Sequence, residues 1–197
     1  MTTITSDRAP EAFPDARWRT RDIVVTAIIG VAFGVVFWAW NLAYAAVDPV
    51  FAFAPWLKDL MYGVWLMPAV VAPLIVRKPG AAIFAEVVAA GLSSLLGSAW
   101  GADVLLSGLM QGAGAEAVFA ITRYRSFRLG TLIAAAIASA LAAFIHDWIV
   151  WYPTVDVTIQ VLRGAAMVVS AAAVAGLGSL LLVRSLRRTG VLDGFPD

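Results

Sequence analysis

Two glutamates and a glutamine stand inside otherwise apolar runs of this chain: Glu86, and the pair Gln111 and Glu116 within GLMQGAGAEAVF, residues 108–119. An ionised side chain in hydrocarbon costs about 2.5 to 3.5 kcal/mol at the centre of a spanning helix, so such groups face a partner, a cavity or a ligand. The chemistry open to them is to hold a cation, pass a proton, or accept hydrogen bonds from a polar molecule. Gly108, Gly112 and Glu116 recur every fourth residue, which leaves the backbone uncovered on the side of the carboxylate. Glu86, Ala90, Ser93, Gly97 and Trp100 form a comparable face. His146, the single histidine, adjoins Asp147, with Trp151 one turn further on. As neighbours on a helix the first two point about 100° apart. Asn41 lies between Trp38 and Tyr44, and its amide both donates and accepts.

The elements that must position these groups follow from composition. A chain of 197 residues with 61% hydrophobic and 14% charged content is an integral membrane protein, not a soluble domain. Runs near the roughly 20 residues that a bilayer requires occur at 23–47, 60–76, 81–100, 104–122, 129–152 and 157–183. The expected fold is all-α, with six transmembrane helices and a kink in the second at Pro68 or Pro73. With the N-terminus in the cytoplasm, only Lys58 and Arg163 of the 14 Lys and Arg fall outside, so the positive-inside rule places both termini in the cytoplasm. The expected organisation is a cytoplasmic N-terminal tail (1–22), a six-helix substrate-binding domain (23–186) and a cytoplasmic C-terminal tail (187–197). The tail lacks the apolar stretch of a signal peptide.

Trp38, Trp40, Trp56, Trp65, Trp100, Trp148 and Trp151 all map to the outer half, and only Trp18 to the cytoplasmic surface. An interfacial belt populates both surfaces. A one-sided excess points instead to an aromatic cavity open outward. On α-helical spacing Thr26, Gly30 and Gly34 form a small-residue stripe on the first helix, suited to close packing inside the bundle or against a partner.

Several chemistries are excluded. No phosphate-binding G-x-x-x-x-G-K-[ST] loop is present, so the chain does not hydrolyse ATP by itself. One histidine and no cysteine provide neither an H-E-x-x-H zinc site nor a thiolate, and no metal or cofactor is expected. A net charge of +1 implies no nucleic-acid partner.

The strings RDIVVTAIIGVAFGVVFWAWN, VRKPGAAIFAEVVAA and LLSGLMQGAGAEAVFAITRYR, in this order, resemble the YkoE family. Its members are substrate-binding S components of energy-coupling factor (ECF) transporters, assigned to thiamin or its hydroxymethylpyrimidine precursor. The resemblance runs from about Arg21 to Leu186. It implies a non-enzymatic receptor in the bacterial cell membrane, an outward vitamin pocket, a transmembrane coupling subunit and two cytoplasmic ATPases. Thiamin is a cation with two flat rings, so it calls for stacking surfaces and anions. The expected substrate-binding set is therefore Trp38, Asn41, Tyr44, Trp65, Glu86, Trp100, Gln111, Glu116, His146, Asp147 and Trp151. Thr26, Ala27, Gly30 and Gly34 are the expected contacts to the coupling subunit. Two other readings compete: a proton-coupled transporter or channel for a small cation using Glu86 and Glu116, and an intramembrane enzyme using His146 and Asp147 as an acid–base pair.

Overall fold

The structure, a computed structural model, describes residues 17–196. The part of the expected N-terminal tail that carries Asp7, Arg8, Glu11 and Asp15 lies outside the described residues. All regular structure among those described is helical, in the order α1 (Thr20–Ala46), α2 (Asp48–Phe51), a 3₁₀ segment (Pro55–Leu66), α3 (Pro68–Val76), α4 (Ala81–Leu95), α5 (Asp103–Ile121), α6 (Leu129–Val150), α7 (Val157–Ser170), a π segment (Ala171–Gly178) and α8 (Ser179–Arg188). Five helical stretches are long and apolar enough to cross a membrane, and α4 is a shorter apolar helix.

The second stretch breaks at Pro68, whose ring removes a backbone donor and opens α3. The upstream 3₁₀ turns leave backbone groups that Ser170 satisfies: its Oγ accepts from the Gly63 amide at 2.8 Å and donates to the Leu60 carbonyl at 2.5 Å. Every residue of α3 is buried, and α1, α4, α5, α6 and α8 all touch it. It forms the axis of the bundle, with Leu66, Val70, Val71 and Ile75 packed among Phe119, Leu132, Met167 and Val183.

Two expected boundaries move. The third run ends at Leu95 instead of 100, because Gly97 takes φ +95° and the chain reverses in a Schellman closure. Its bonds are Gly97 N–H to Ser94 O at 3.0 Å and Ser98 N–H to Ser93 O at 3.1 Å. Trp100 therefore rides on a loop and not on the helical face with Glu86 and Ser93. The last run continues past 183 to Arg188 through the π segment. Beyond it the chain folds back, burying Leu192 and setting the Phe195 ring 4.8 Å under the Arg21 guanidinium. Both described ends thus meet at one end of the bundle. There Trp18 also donates to the Pro79 carbonyl at 3.0 Å. At the opposite end Asp156 caps α7 by accepting from the Thr158 amide at 2.8 Å, and these backbone bonds hold its carboxyl below the usual range.

The stripe on α1 faces inward. A Cβ on Gly30 would lie 2.7 Å from Val88 Cβ and one on Gly34 2.7 Å from Leu92 Cβ, so both glycines are needed for the α1–α4 approach. Thr26 is fully buried on the same side, its hydroxyl returning to the Asp22 carbonyl at 2.7 Å. Only Ala27, half-buried, retains accessible surface. Thr26, Gly30 and Gly34, expected to contact a partner, are placed by the structure in packing within the chain.

Candidate functional site

At the end of the bundle away from the termini, the helices enclose a cavity with an empty volume of about 680 Å³, its mouth included. Helix α1 contributes Phe37, Asn41 and Tyr44, and the 3₁₀ segment Tyr62 and Trp65. Ala90 and Ser93 of α4 and Gly108 of α5 lie on the wall together, with a Gly108 Cβ leaving only 2.8 Å to that of Ala90. The remaining wall is Trp100 from the loop, Asp103, Val104, Ser107 and Gln111 from α5, Asp147, Trp151 and Tyr152 at the end of α6, and Arg163 from α7.

The rings stand edge to face. Trp65 lies 5.0 Å from Tyr44 and 5.4 Å from Tyr62, and Trp100 lies 5.1 Å from Trp151, all as T-shaped pairs. Tyr44 and Trp100 approach to 6.5 Å. Asn41 ties the wall together: its Oδ1 accepts from Trp65 Nε1 at 3.0 Å, while its Nδ2 donates to Ser93 at 3.2 Å and Ser98 at 3.3 Å. Gln111 donates to Ser107 at 2.7 Å.

Two acids border the cavity. Asp147 Oδ2 accepts from the Tyr62 hydroxyl at 3.0 Å, and Asp103 Oδ2 from the Trp151 indole at 2.8 Å. Tyr62 and Trp151 are neutral donors, and the two acids share the single ring of His146 behind them. The guanidinium of Arg163 is engaged elsewhere: Nε and the terminal nitrogen reach Asp59 at 2.9 and 3.3 Å, and the group lies 3.6 Å over the Tyr152 ring. The arrangement is that of an aromatic chamber with a negative side, suited to a flat cation.

Of the expected site residues, the structure brings Asn41, Tyr44, Trp65, Trp100, Gln111, Asp147 and Trp151 to the cavity wall. Four lie elsewhere. Trp38 points outward, 38% exposed. His146 is buried behind Asp147, its ring reaching both cavity acids. The two glutamates serve helix starts. Glu116 accepts from the Gly80 and Ala82 amides at 2.6 and 3.0 Å, at the N-terminus of α4, and from the Tyr124 hydroxyl at 2.5 Å. Glu86 accepts from the Ala69 amide at 2.9 Å, at the N-terminus of α3. The first amides of a helix have no partner in their own helix and carry its positive end, so a carboxylate from the next helix meets both needs in a medium without water. That use removes the glutamates from the cavity wall.

Phe37, Tyr62, Ser93, Asp103, Ser107, Tyr152 and Arg163 were not in the expected set. Asp103, Ser107 and Gln111 fall every fourth residue, a polar stripe that periodicity alone reveals.

Comparison with known proteins agrees with this architecture. Residues 21–142 match the family model described as the permease component of an ABC-type cobalt transport system. The chain is 36% identical over 180 residues to the protein of Bacillus subtilis (strain 168) named "Putative HMP/thiamine permease protein YkoE", with 90% of this chain and 88% of that relative aligned. A crystal structure of an S component of an ECF transporter superposes with a TM-score of 0.86 at 34% identity, covering 90% of each chain.

Proposed function

The chain belongs to the YkoE family of S components of ECF transporters, and from that premise we propose that it captures thiamin or its hydroxymethylpyrimidine precursor from outside the cell. It is a multi-pass membrane protein and the substrate-binding subunit of a vitamin importer, not an enzyme. The ligand class is the proposal's own step. The observation that carries it is the aromatic cavity bordered by two acids, Asp103 and Asp147, which share the one ring of His146 between them while the one guanidinium on the wall is paired with Asp59. A thiazolium set against Trp or Tyr faces gains on the order of 2 kcal/mol when desolvated. An aminopyrimidine donates to a carboxylate or to the amide oxygen of Gln111 through charge-assisted or neutral bonds. In this reading Asn41, Tyr44, Trp65, Trp100, Gln111, Asp147 and Trp151 are contact residues, with Tyr62, Asp103 and Ser107 added. Glu86, Glu116, Trp38 and His146 do not touch the ligand.

The subunit has six spans, α4 being the short one, and both termini in the cytoplasm. Arg77, Lys78, Arg123, Arg125, Arg128, Arg184, Arg187 and Arg188 sit at the helix ends on the side where Trp18 and Phe195 lie, in keeping with the positive-inside rule. The cavity then opens outward. With no G-x-x-x-x-G-K-[ST] loop in its sequence, the chain depends on a transmembrane coupling subunit and two ATPases of the bacterial cell membrane to release its cargo inward. Among the residues expected to reach that partner, Ala27 alone remains a candidate.

The test is uptake of labelled thiamin into proteoliposomes. Chain plus coupling subunit and ATPases should transport only with ATP inside the ATPase compartment, and chain alone should not transport. Uptake by the chain alone down a proton gradient would establish the secondary-transporter reading instead.

A further inference from the structure

His146 lies behind the cavity wall, 3% exposed, and is not part of its lining. Its ring nonetheless reaches both acids that are. Nδ1 stands 3.1 Å from Asp147 Oδ1, and Nε2 stands 3.3 Å from Asp103 Oδ1. Asp147 is its neighbour on α6, whereas Asp103 opens α5 from 43 positions earlier. The outer oxygen of each acid holds a ring of the chamber: Asp103 Oδ2 takes the Trp151 indole at 2.8 Å, and Asp147 Oδ2 takes the Tyr62 hydroxyl at 3.0 Å. An uninterrupted relay, Tyr62 to Asp147 to His146 to Asp103 to Trp151, thus runs through the 3₁₀ segment, α6 and α5.

Two carboxylates on adjacent helices repel, and a carboxylate that swings takes its aromatic partner with it. A ring fixed between them by both nitrogens opposes that motion, since each contact has a direction as well as a distance. We propose that His146 is the positioning residue of the site: without touching ligand it sets the two acids, and through their outer oxygens it orients Trp151 and Tyr62 before a ligand arrives. The ligand then orders fewer groups on binding, which is where preorganised sites gain affinity. The inference rests on reading the cavity as the vitamin site, and it assigns to His146 a role different from ligand contact.

A packing role and a positioning role separate experimentally. The protein is labelled with ¹⁵N-tryptophan and placed in nanodiscs without ligand, and the Trp151 indole N–H resonance is assigned by its loss in Trp151→Phe. His146→Leu should move that resonance, leave those of Trp18 and Trp148 in place, and weaken thiamin binding about tenfold or more. His146→Gln, which retains one donor toward the acids, should fall between Leu and wild type on both readouts. An unmoved Trp151 resonance in both variants overturns the proposal, as does equal weakening by Leu and Gln. Should the leucine variant not fold, the Trp151 resonance of His146→Gln against wild type decides by the same criterion. Failure of wild-type protein to bind thiamin would sink the ligand assignment, while the ligand-free resonance still decides the positioning role.

Discussion

The carboxylate of Glu116 sits 2.6 Å from the amide nitrogen of Gly80, 36 residues away, and closes the exposed start of α4 from the neighbouring helix α5. Glu86 of α4 does the same for α3 through Ala69. The chain thus uses each intramembrane glutamate to finish the preceding helix, so these two acids in apolar runs serve the scaffold.

Glu116→Gln should therefore lower stability without disturbing binding. Replacing a charged acceptor that meets three donors costs roughly 1–3 kcal/mol, seen as a lower melting temperature in detergent. The thiamin affinity of the folded fraction should stay within about threefold of wild type. A large affinity loss at unchanged melting temperature would place Glu116 in the site after all.

The cavity acids should behave in the opposite way. Asp103→Asn and Asp147→Asn each keep a side chain able to accept from Trp151 or Tyr62 while removing charge. Each should weaken cationic thiamin about tenfold or more, and the neutral pyrimidine half by less than about threefold, as calorimetry of both ligands will show. Equal losses for the two ligands would mean that shape, not charge, selects the cargo.

Gly34→Leu tests where the small-residue stripe works. Because even a Cβ there meets Leu92 at 2.7 Å, the larger side chain forces α1 off α4 and should cost about 1–3 kcal/mol in the isolated subunit. A variant that melts like wild type yet no longer assembles with a coupling subunit would return the stripe to the partner interface.

These contrasts show what a sequence of this kind discloses. Apolar runs delimit spans because the bilayer fixes their length, and 23–47, 104–122 and 129–152 fall within a few residues of α1, α5 and α6. The end of α4 was not legible, since a single glycine in the left-handed region at position 97 outweighs four neighbours within the apolar run. Part of the cavity wall could be read because Trp65, Trp100, Trp151, Asn41 and Asp147 combine ring or polar type with an outer position. The glutamates lie off the cavity wall for a physical reason: an acid in an apolar run announces a need for donors but not their source, and the donors here include main-chain amides of another helix. Arg163 was hidden by its partner Asp59, 104 residues distant. His146 was visible as a residue, yet only the approach of α5 to α6 sets Asp103 against its far side.

Topology has its own check. The chain contains no cysteine, so single cysteines introduced at position 125 and at position 156 are the sole thiols in their variants. In intact cells an impermeant maleimide should label position 156 and spare position 125 until the membrane is opened. The reverse pattern would invert the subunit and turn the cavity mouth inward.

The central claim, an outward aromatic chamber for a flat vitamin cation, is tested most directly by equilibrium titration of the detergent-purified subunit, following the fluorescence of its 8 tryptophans. Thiamin should quench saturably with one site per chain, the pyrimidine half should bind more weakly, and riboflavin and biotin should produce no saturable change. No saturable response to thiamin or to its pyrimidine half, or an equal response to riboflavin, would contradict the account.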